Sequence, residues 1–490
     1  MELTKLVNSL KVIQLVGEVE RKDIESITYD SRKVKKNTLF VAISGFSTDG
    51  HKFILDAISK GATAVILENN NAIPEDIFIH RNVTKILVQN SRQALADASN
   101  AFFKQPTNLL EVIGITGTKG KTTTSYFIKN ILETEGKKSG LIGTIANYIG
   151  NKQIYTAMTT PESSDLNQLF ADMLSEGCSH CVMEVSSHSL VLKRVSSIDF
   201  KTAVFTNLTS DHLDFHGTVE EYLKAKKILF DNLNSEAKVI YNADDENALK
   251  IISDTKAKCF SYGTKSGSDF LLSNISYDLS GTTFDINYNG QLFKLKTSLV
   301  GAFNASNAAA AFAFGLLSGY NADSVVKAIE TTPQVPGRFE TIEHKMKKVI
   351  IDYSHTADSL EKALLAIHNI VKDSRPIYTV FGCGGNRDKT KRPVMGEIAS
   401  RLSNKVFVTS DNPRFEDPME IISDILKGIN KPNFEVIENR EEAIKKAILN
   451  SEENAVILIA GKGHENYQEI KGVRNHFSDK ETAEKYLANE

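Results

Sequence analysis

A run of small, basic and hydroxyl residues at 117–122 (GTKGKT) has the composition of a phosphate-binding loop. The apolar run at 111–116 predicts a buried strand before it, and a helical pattern follows. Glycines let backbone N–H groups surround phosphate oxygens, and a helix N-terminus attracts anions. Lys121 would place a positive charge near the β- and γ-phosphates, and Thr122 carries the hydroxyl that such loops direct at Mg²⁺. Ile115 stands where the full pattern has its first glycine, so only the second half of that pattern is present.

Polar groups at the ends of the next apolar runs are candidates for a metal site. Glu184 ends one run, where a carboxylate can meet a metal ion held by the phosphate loop. His212 lies in the polar stretch 206–216 behind another run, and it could ligate a metal or only cap a turn. Lys226 belongs to a lysine-rich helical pattern at 222–230, which by itself is typical of a solvated basic face.

The last third of the chain also places polar and glycine-rich groups behind apolar runs. Each group could be an ordinary loop, but their number predicts a ligand cleft between domains. The groups are Asn304 and Asn307 beside an alanine-rich helix, then 336–340 (PGRFE), 352–355 (DYSH), 382–388 (GCGGNRD), 410–418 (SDNPRFEDP) and 461–465 (GKGHE).

Composition limits the class of protein. A chain of 490 residues suggests about three domains. The net charge of −3 does not favour a nucleic-acid or anionic membrane surface, and we find neither a signal peptide nor an apolar run long enough to span a bilayer. Four cysteines in so long a chain fit a reducing cytoplasm. Cys178 and Cys181 have CxxC spacing without a second ligand pair, so we expect buried structural cysteines.

The order of apolar strands and helical patterns predicts an α/β fold with three domains. Residues 1–107 read as a small α/β domain, and breaks follow near residues 107 and 335. Residues 108–335 predict a mostly parallel sheet with the phosphate loop at the C-terminal end of a strand. Within them, 271–298 predicts an antiparallel patch. Residues 336–490 predict another α/β unit with ligand-binding loops at its strand ends.

Taken together, the motifs resemble the Mur ligases of peptidoglycan synthesis, and the resemblance covers essentially the whole chain. Residues 30–32 (DSR) with 39–43 (LFVAI) resemble the N-terminal domain of the members that add the third peptide residue. Residues 411–414 (DNPR) are similar to the motif of the diaminopimelate-adding members. The remaining motifs are GTKGKT, EVSSH, TNLTSDHLD, the lysine at 226, NASN, PGRFE and GKGHE.

The resemblance implies a UDP-binding N-terminal domain, a central P-loop-type ATPase domain and a C-terminal Rossmann-like domain that brings the amino acid. It implies that ATP phosphorylates the D-glutamate side chain of UDP-N-acetylmuramoyl-L-alanyl-D-glutamate, and that an amine of meso-2,6-diaminopimelate attacks the acyl phosphate. The partners would be these small molecules, with no nucleic acid or membrane. The protein would act as a cytoplasmic monomer.

The resemblance also implies roles for individual residues. Thr122 and Glu184 would hold one Mg²⁺, His212 would bind a second, and Lys121 would steady the transferring phosphate. Lys226 would be carbamoylated by CO₂ to N6-carboxylysine, because a carbamate supplies an anionic ligand where an ammonium would repel Mg²⁺. The implied ATP-binding residues are Gly117, Thr118, Lys119, Gly120, Lys121, Thr122, Thr123, Asn304, Arg338 and Asp352.

Two further groups would bind the acceptor and the amino acid. Ser31 would meet the uridine end of the acceptor, and its sugar and peptide would meet Thr159, Thr160, Ser186 and Arg194. The implied amino-acid pocket consists of Arg387, Asp411, Asn412, Pro413, Arg414, Gly461 and Glu465. Diaminopimelate has a second carboxylate that lysine lacks, and a guanidinium binds a carboxylate with two hydrogen bonds, so we expect diaminopimelate rather than L-lysine.

Four positions depart from the family pattern: Leu192, Ser354, Ala357 and Asn386. Leu192 replaces a glutamine that often contacts the acceptor, and none of the four removes a group needed for chemistry. Two rival classes are a folylpolyglutamate-synthase-like ligase and a non-catalytic nucleotide switch. Residues 1–107 argue against the first, and the joint presence of Lys121, Glu184, His212 and Lys226 argues against the second.

Overall fold

The computed structural model describes residues 1–45, 48–156, 158–372 and 374–488. The chain divides into two compact units, which are described separately. The first comprises Met1–Leu272, Asn287–Gln291 and Asn307–Val325, and the second comprises Ser273–Ile286, Leu292–Ser306 and Val326–Glu490. The boundaries of the three expected domains stay a prediction.

The strands are β1 Val12–Val16, β2 Ser26–Thr28, β3 Thr38–Val41, β4 Ala62–Leu67, β5 Thr84–Val88, β6 Glu111–Thr116, β7 Ser139–Ile142, β8 Asn147–Ile149, β9 Lys152–Ile154, β10 His180–Glu184, β11 Phe200–Phe205, β12 Lys238–Asn242, β13 Lys258–Gly263, β14 Phe270–Asp278, β15 Gly281–Tyr288, β16 Gln291–Thr297, β17 Glu340–His344, β18 Lys347–Asp352, β19 Ile377–Phe381, β20 Lys405–Val408, β21 Phe434–Val436, β22 Val456–Ala460, β23 Tyr467–Ile470 and β24 Val473–His476.

The α-helices are α1 Leu3–Val7, α2 Ile54–Ser59, α3 Glu75–His80, α4 Ser91–Phe102, α5 Lys121–Thr134, α6 Ser163–Ser175, α7 Ser187–Val191, α8 Leu213–His216, α9 Val219–Asp231, α10 Ala248–Ile251, α11 Ala302–Leu317, α12 Ala322–Glu330, α13 Ala357–Val371, α14 Lys391–Leu402, α15 Pro418–Leu426, α16 Arg440–Leu449 and α17 Asp479–Leu487. Short 3-10 turns span Ser31–Lys33, Gly50–Phe53 and Pro106–Asn108.

The N-terminal part of the first unit is a five-stranded sheet in the order β1-β5-β4-β3-β2. Only the β1–β5 pair is antiparallel. Along β4, Ala64 and Ile66 join one hydrophobic cluster while Val65 and Leu67 join another. Side chains alternate between the faces of a strand, so this continuous apolar run is explained by a sheet that is covered on both faces.

The central sheet of the first unit has the order β13-β12-β11-β6-β10-β7-β8-β9. Strands β7, β10, β6, β11, β12 and β13 run parallel, which confirms the mostly parallel sheet expected from the sequence. Strand β6 lies between β10 and β11, so the loop after it meets the ends of both neighbours. Because β10 lies beside β6, Glu184 at the end of β10 reaches the phosphate loop that follows β6.

The C-terminal sheet lies in the second unit and has the order β17-β18-β22-β19-β20-β21. All its pairs are parallel except β17–β18, so the loops after β18, β19, β20 and β22 leave from the same edge. The strands β14 to β16 lie side by side and are joined by two-residue connections, as expected for the antiparallel patch. Across the described ranges, no helix combines the length and apolar character needed to cross a bilayer.

Candidate functional site

The phosphate loop connects β6 to α5, whose first residue is Lys121. Gly120 has a φ of +87°, and a Cβ there would lie 2.4 Å from Asn307 Oδ1. A side chain at this position would therefore meet both backbone strain and a steric clash. The loop is also bound to the segment after β11: Lys119 N donates to Asn207 Oδ1 (2.9 Å), and Asn207 Nδ2 donates to Lys119 O (3.0 Å).

Two lysines converge on one carbonyl of this loop. Lys121 Nζ and Lys226 Nζ each donate to Gly117 O, both at 2.9 Å. Lys226 is buried at 1% exposure on α9, and its ammonium lies 4.4 Å from the centre of the Tyr222 ring. Burial, followed by the nearby Lys121 charge, lowers the pKa of Lys226 well below its ordinary value. The solvated-face interpretation is thus wrong for Lys226.

Glu184 is buried at the end of β10 and contacts the start of α5. Its Oε2 accepts from Thr122 Oγ1 at 3.1 Å and from Thr144 Oγ1 at 3.0 Å, while its Oε1 accepts from Thr144 N at 2.9 Å. Thr123, one residue further along α5, is buried as well. The structure therefore brings together the carboxylate and the hydroxyl that were predicted to share a Mg²⁺.

His212 lies in an aromatic group at the start of α8. Its ring centre is 5.0 Å from that of His188 and 6.2 Å from that of Tyr222. Partial burial lowers the pKa of His212, which favours the neutral imidazole that binds metals. Within the described residues, no three His, Cys, Asp or Glu side chains group to hold a metal ion by themselves. A metal here would take further ligands from hydroxyl, carbamate, phosphate or water oxygens.

Four residues predicted to bind the acceptor form one group beside Glu184. Thr160 Oγ1 donates to Glu184 O at 2.8 Å and accepts from Ser186 N at 3.1 Å. Arg194 Nη1 donates to Thr160 O at 3.1 Å. Thr159 Oγ1 lies 3.1 Å from Thr144 Oγ1, which itself contacts Glu184.

Ser31, the fifth predicted acceptor residue, lies in the N-terminal sheet region. It begins a 3-10 turn whose preceding residue, Asp30, accepts from Arg32 N at 3.0 Å. Ser31 is buried, and its carbonyl accepts from Lys60 Nζ at 3.1 Å. The nearby Tyr29 hydroxyl donates to Asp165 Oδ2 on α6 at 3.1 Å, so this turn is anchored to the helix that follows Thr159 and Thr160.

In the second unit, the three remaining predicted ATP residues lie on connected segments. Asp352 ends β18, and its Oδ2 accepts from Phe339 N at 2.7 Å. The guanidinium of Arg338 lies 4.8 Å from the centre of the Tyr353 ring. Asn304 is buried on α11 next to Phe303, whose ring contacts that of Phe339 at 6.0 Å between centres.

The two predicted pocket arginines both lie close to Gly384. A Cβ on Gly384 would be 2.9 Å from Arg414 Nη1 and 3.9 Å from Arg387 Cγ. Arg414 Nη1 donates to Gly385 O at 2.8 Å. Pro413 packs on the same turn, because a Cβ on Gly385 would lie 2.0 Å from Pro413 O.

The other pocket residues come from the loops after β20 and β22. Asn412 Nδ2 donates to Glu465 Oε2 at 2.8 Å. Gly461 has a φ of +117°, and a Cβ there would lie 2.5 Å from Asp411 Oδ2. The glycine thus leaves room for the carboxylate, and all seven predicted pocket residues lie on three adjoining loops.

Three of the four departures from the family pattern can be related to local contacts or to a helix start. Ser354 Oγ donates to Asp352 Oδ1, and Asn386 Oδ1 accepts from Phe415 N at 3.0 Å. Ala357 is the first residue of α13, which has a capping box. Nothing in the structure explains Leu192.

Sequence reasoning missed three residues that organise the site: Thr144, Asn207 and Lys462. Asn207 and Lys462 lie inside stretches that the sequence already singled out, and Lys462 Nζ donates to Asn412 Oδ1 at 3.0 Å. Thr144 comes two residues after β7. Its position behind a strand of the parallel sheet is the signal that could have found it.

Comparisons with known proteins find Mur ligase domains in three successive parts of the chain. Residues 23–103 match "Mur ligase family, catalytic domain", residues 115–315 "Mur ligase middle domain" and residues 337–463 "Mur ligase, glutamate ligase domain". A UDP-N-acetylmuramoyl-L-alanyl-D-glutamate--2,6-diaminopimelate ligase of Clostridium acetobutylicum is 44% identical, with 99% of each chain covered. The enzyme of the same name from Phocaeicola vulgatus is 43% identical, with 100% of each chain covered.

Solved structures agree with these relatives. A UDP-N-acetylmuramoyl-L-alanyl-D-glutamate--2,6-diaminopimelate ligase is similar with a TM-score of 0.72 and 30% identity, over 100% of this chain and 99% of that one. A folylpolyglutamate synthase of Thermotoga maritima is similar with a TM-score of 0.60 and 18% identity. The match covers 76% of this chain and 89% of that one. The chain belongs to the Mur ligase family.

Proposed function

We propose that the protein is an ATP-dependent ligase that adds meso-2,6-diaminopimelate to UDP-N-acetylmuramoyl-L-alanyl-D-glutamate during peptidoglycan precursor synthesis. Full-length relatives at 43–44% identity carry this activity in their names. The observation that carries the proposal is the pair Arg387 and Arg414 beside Gly384, next to Asp411 and Asn412. The folylpolyglutamate synthase covers only 76% of this chain, so it is the weaker precedent.

The reaction requires activation because a carboxylate is a poor acyl donor. ATP transfers its γ-phosphoryl group to the D-glutamate side chain, which forms an acyl phosphate and releases ADP. An amine of diaminopimelate then forms the amide bond, the C–O bond to phosphate breaks, and the amine loses a proton. In this scheme the loop at 117–122 holds the phosphates, and Lys121 balances the charge of the transferring group.

The residues present fit Mg²⁺, which when bound would neutralise phosphate charge. Thr122 and Glu184 already share a hydrogen bond, and they would hold one ion. His212 with its depressed pKa would bind a second. Lys226 fits carbamoylation because its depressed pKa favours the neutral amine, whose nitrogen can bond to CO₂ and release a proton.

Acceptor and nucleotide would contact the groups described above. Thr159, Thr160, Ser186 and Arg194 would bind the sugar and peptide of the acceptor, and their links to Glu184 support a position beside the residues that would hold Mg²⁺. Ser31 would meet the uridine end. On the second unit, the residues that would contact ATP are Asn304, Arg338 and Asp352.

The preference for diaminopimelate follows from its extra carboxylate. A guanidinium can bind that group with two parallel hydrogen bonds, and L-lysine would leave Arg414 without this partner. A site that hydrogen-bonds a substrate group strongly rejects analogues that lack it. We further propose that the protein is a monomer in the cytoplasm; the four free cysteines support the reducing compartment.

The test is phosphate release by purified protein with ATP, Mg²⁺ and UDP-N-acetylmuramoyl-L-alanyl-D-glutamate, with diaminopimelate and L-lysine supplied in parallel. We expect turnover with diaminopimelate and none without acceptor or amino acid. If L-lysine supported turnover and diaminopimelate did not, the protein would still be a ligase, but the proposed role of Arg414 would be wrong. ATP turnover that needs neither substrate would indicate a nucleotide switch.

A further inference from the structure

The amino-acid pocket encloses a lysine that is itself completely buried. Lys462 follows β22 and has 0% exposure. Its Nζ donates to Asn412 Oδ1 at 3.0 Å and to Glu465 Oε2 at 3.1 Å, and it lies 3.9 Å from Asp411 Oδ1. The Tyr467 ring lies 5.4 Å from the ammonium. A buried ammonium is costly unless its donors and charge are matched, and these groups match both.

The ammonium fixes the orientation of two pocket side chains. Glu465 Oε2 accepts from both Lys462 Nζ and Asn412 Nδ2, while Asn412 Oδ1 accepts from Lys462 Nζ. The three side chains thus form a closed ring of hydrogen bonds. Rotation of the Asn412 amide by 180° would place its NH₂ group against the ammonium, so Lys462, together with Glu465, favours one orientation of the amide.

The same ring reaches Arg414 through the hairpin β23–β24. Asn412 Oδ1 also accepts from Glu469 N at 2.9 Å. Glu469 O accepts from Arg414 N at 3.0 Å, and Arg414 O accepts from Lys471 N at 2.6 Å. Arg414 has a φ of +53°, a conformation that is uncommon for non-glycine residues and that neighbouring contacts can stabilise. The hairpin supplies such contacts.

We propose that Lys462 is a positioning residue for the amino-acid substrate. It orients Asn412 and Glu465 directly, and it orients Arg414 through Asn412 and the hairpin. Removal of the ammonium would let these groups adopt other orientations in the free enzyme, and binding of the amino acid would then have to restore them. This inference rests on the proposed function, because it takes these loops to be the amino-acid pocket.

The test is the Lys462→Met variant, which keeps most of the apolar stem and loses the ammonium. We expect its KM for diaminopimelate to rise about 10- to 100-fold, because misplaced binding groups cost this much, while the KM values for ATP and acceptor stay within about threefold. Lys462→Gln keeps an N–H donor on a shorter chain, so its rise should be smaller and equally selective. An equal rise for all three substrates in either variant would overturn the proposal.

The matched control is Lys347→Met. Lys347 is also a buried lysine of the second unit, at 3% exposure, and its Nζ donates to Ile448 O at 2.7 Å. It lies at the beginning of β18, whereas the pocket loops follow the ends of β19, β20 and β22, which run parallel to β18 in the same sheet. We expect a lower thermal stability without a selective rise in the diaminopimelate KM. A selective rise in this control would overturn the specific role of Lys462.

A double-mutant cycle with Asn412→Ala tests whether Lys462 acts through Asn412. We expect the KM increase of the double variant to be smaller than the product of the two single increases, because the residues share one network. Increases that multiply would overturn the proposed path. If the wild type used L-lysine instead, the proposed substrate would be wrong, and the lysine KM in the same variants would decide the role of Lys462.

Discussion

Lys226 lies in an environment unlike that of a surface lysine. It is buried beside Lys121, and its pKa lies well below the ordinary value because of burial and this neighbouring charge. Lys224, two residues earlier on the same helix, is exposed and pairs with Glu221 at 2.8 Å. A single helix thus carries one lysine in the interior and another in solvent.

We expect Lys226→Ala to lose nearly all ligase activity, because no carbamate could then form. Added short carboxylates should restore part of it, since the smaller side chain leaves space for an anion. Phosphate release with and without acetate or formate measures this. Lys224→Ala is the control and should keep wild-type activity. Full activity of Lys226→Ala would exclude the carbamate.

Arg414 offers a second test at the scale of one side chain. We expect Arg414→Ala to raise the diaminopimelate KM about 10- to 100-fold, because the lost contact is to a charged group, and to change the ATP KM little. Steady-state kinetics in both substrates measures this. Arg401→Ala removes a surface arginine that pairs with Glu361 and Glu397, and it should leave both values unchanged. An equal rise of the KM for diaminopimelate and for ATP in Arg414→Ala would contradict the assignment of Arg414 to the amino-acid pocket.

At the scale of elements, the phosphate loop depends on the junction between β6 and α5. Gly120 provides the left-handed residue just before the helix begins, and Asn307 lies against it. Gly136, beyond the other end of α5, also has a positive φ of +69°, but a Cβ there would meet nothing within 4 Å. Both glycines therefore have a positive φ that disfavours a side chain, but only at Gly120 would a Cβ also clash with a neighbour.

We expect Gly120→Ala to raise the ATP KM at least about tenfold, because the loop must move to avoid Asn307. Both Gly120→Ala and Gly136→Ala should lose about 1–2 kcal/mol of unfolding free energy from left-handed strain. ATP kinetics and urea unfolding together measure the two effects. If Gly136→Ala also raised the ATP KM, backbone strain without the Asn307 clash would account for the weaker ATP binding.

At the scale of the whole molecule, two compact units contain separate cores. The C-terminal helix α17 is attached to α16 by a buried ion pair within the second unit. Arg440 Nε and Nη2 donate to the Asp479 carboxylate at 2.7 and 2.8 Å, and both residues are at most 2% exposed. Arg440 Nη2 also donates to Ala460 O at the end of β22, directly before the pocket loop.

We expect Asp479→Ala to destabilise the second unit by about 3–5 kcal/mol, because it leaves a buried guanidinium without its counter-ion. Hydrogen exchange of amides in α16 and α17 measures this locally, and amides of the first unit should change less. Glu441→Ala removes the exposed pair with Lys485 between the same two helices and should cost less than about 1 kcal/mol. Similar losses in both variants would contradict the importance of burial.

The sequence by itself was sufficient for the family, the α/β class and the position of the phosphate loop. These depend on local patterns: apolar runs that form strands, glycines and hydroxyls at the start of a helix, and short motifs at strand ends. β6 was predicted over the same residues, and Glu184 ends β10 as the apolar run before it indicated. Local propensity and periodicity carry this information because neighbouring residues determine it.

Only the tertiary structure decided which polar residues meet. Lys226 looked like a surface lysine on its helix, yet packing of α9 buries it against the loop at 117–122. Thr144 and Lys462 both follow the end of a strand, but their residue types did not distinguish them from ordinary loop residues. Their contacts with Glu184 and Asn412 join segments 40 and 50 residues apart. Such long-range contacts are set by strand order and register, which short sequence patterns do not encode.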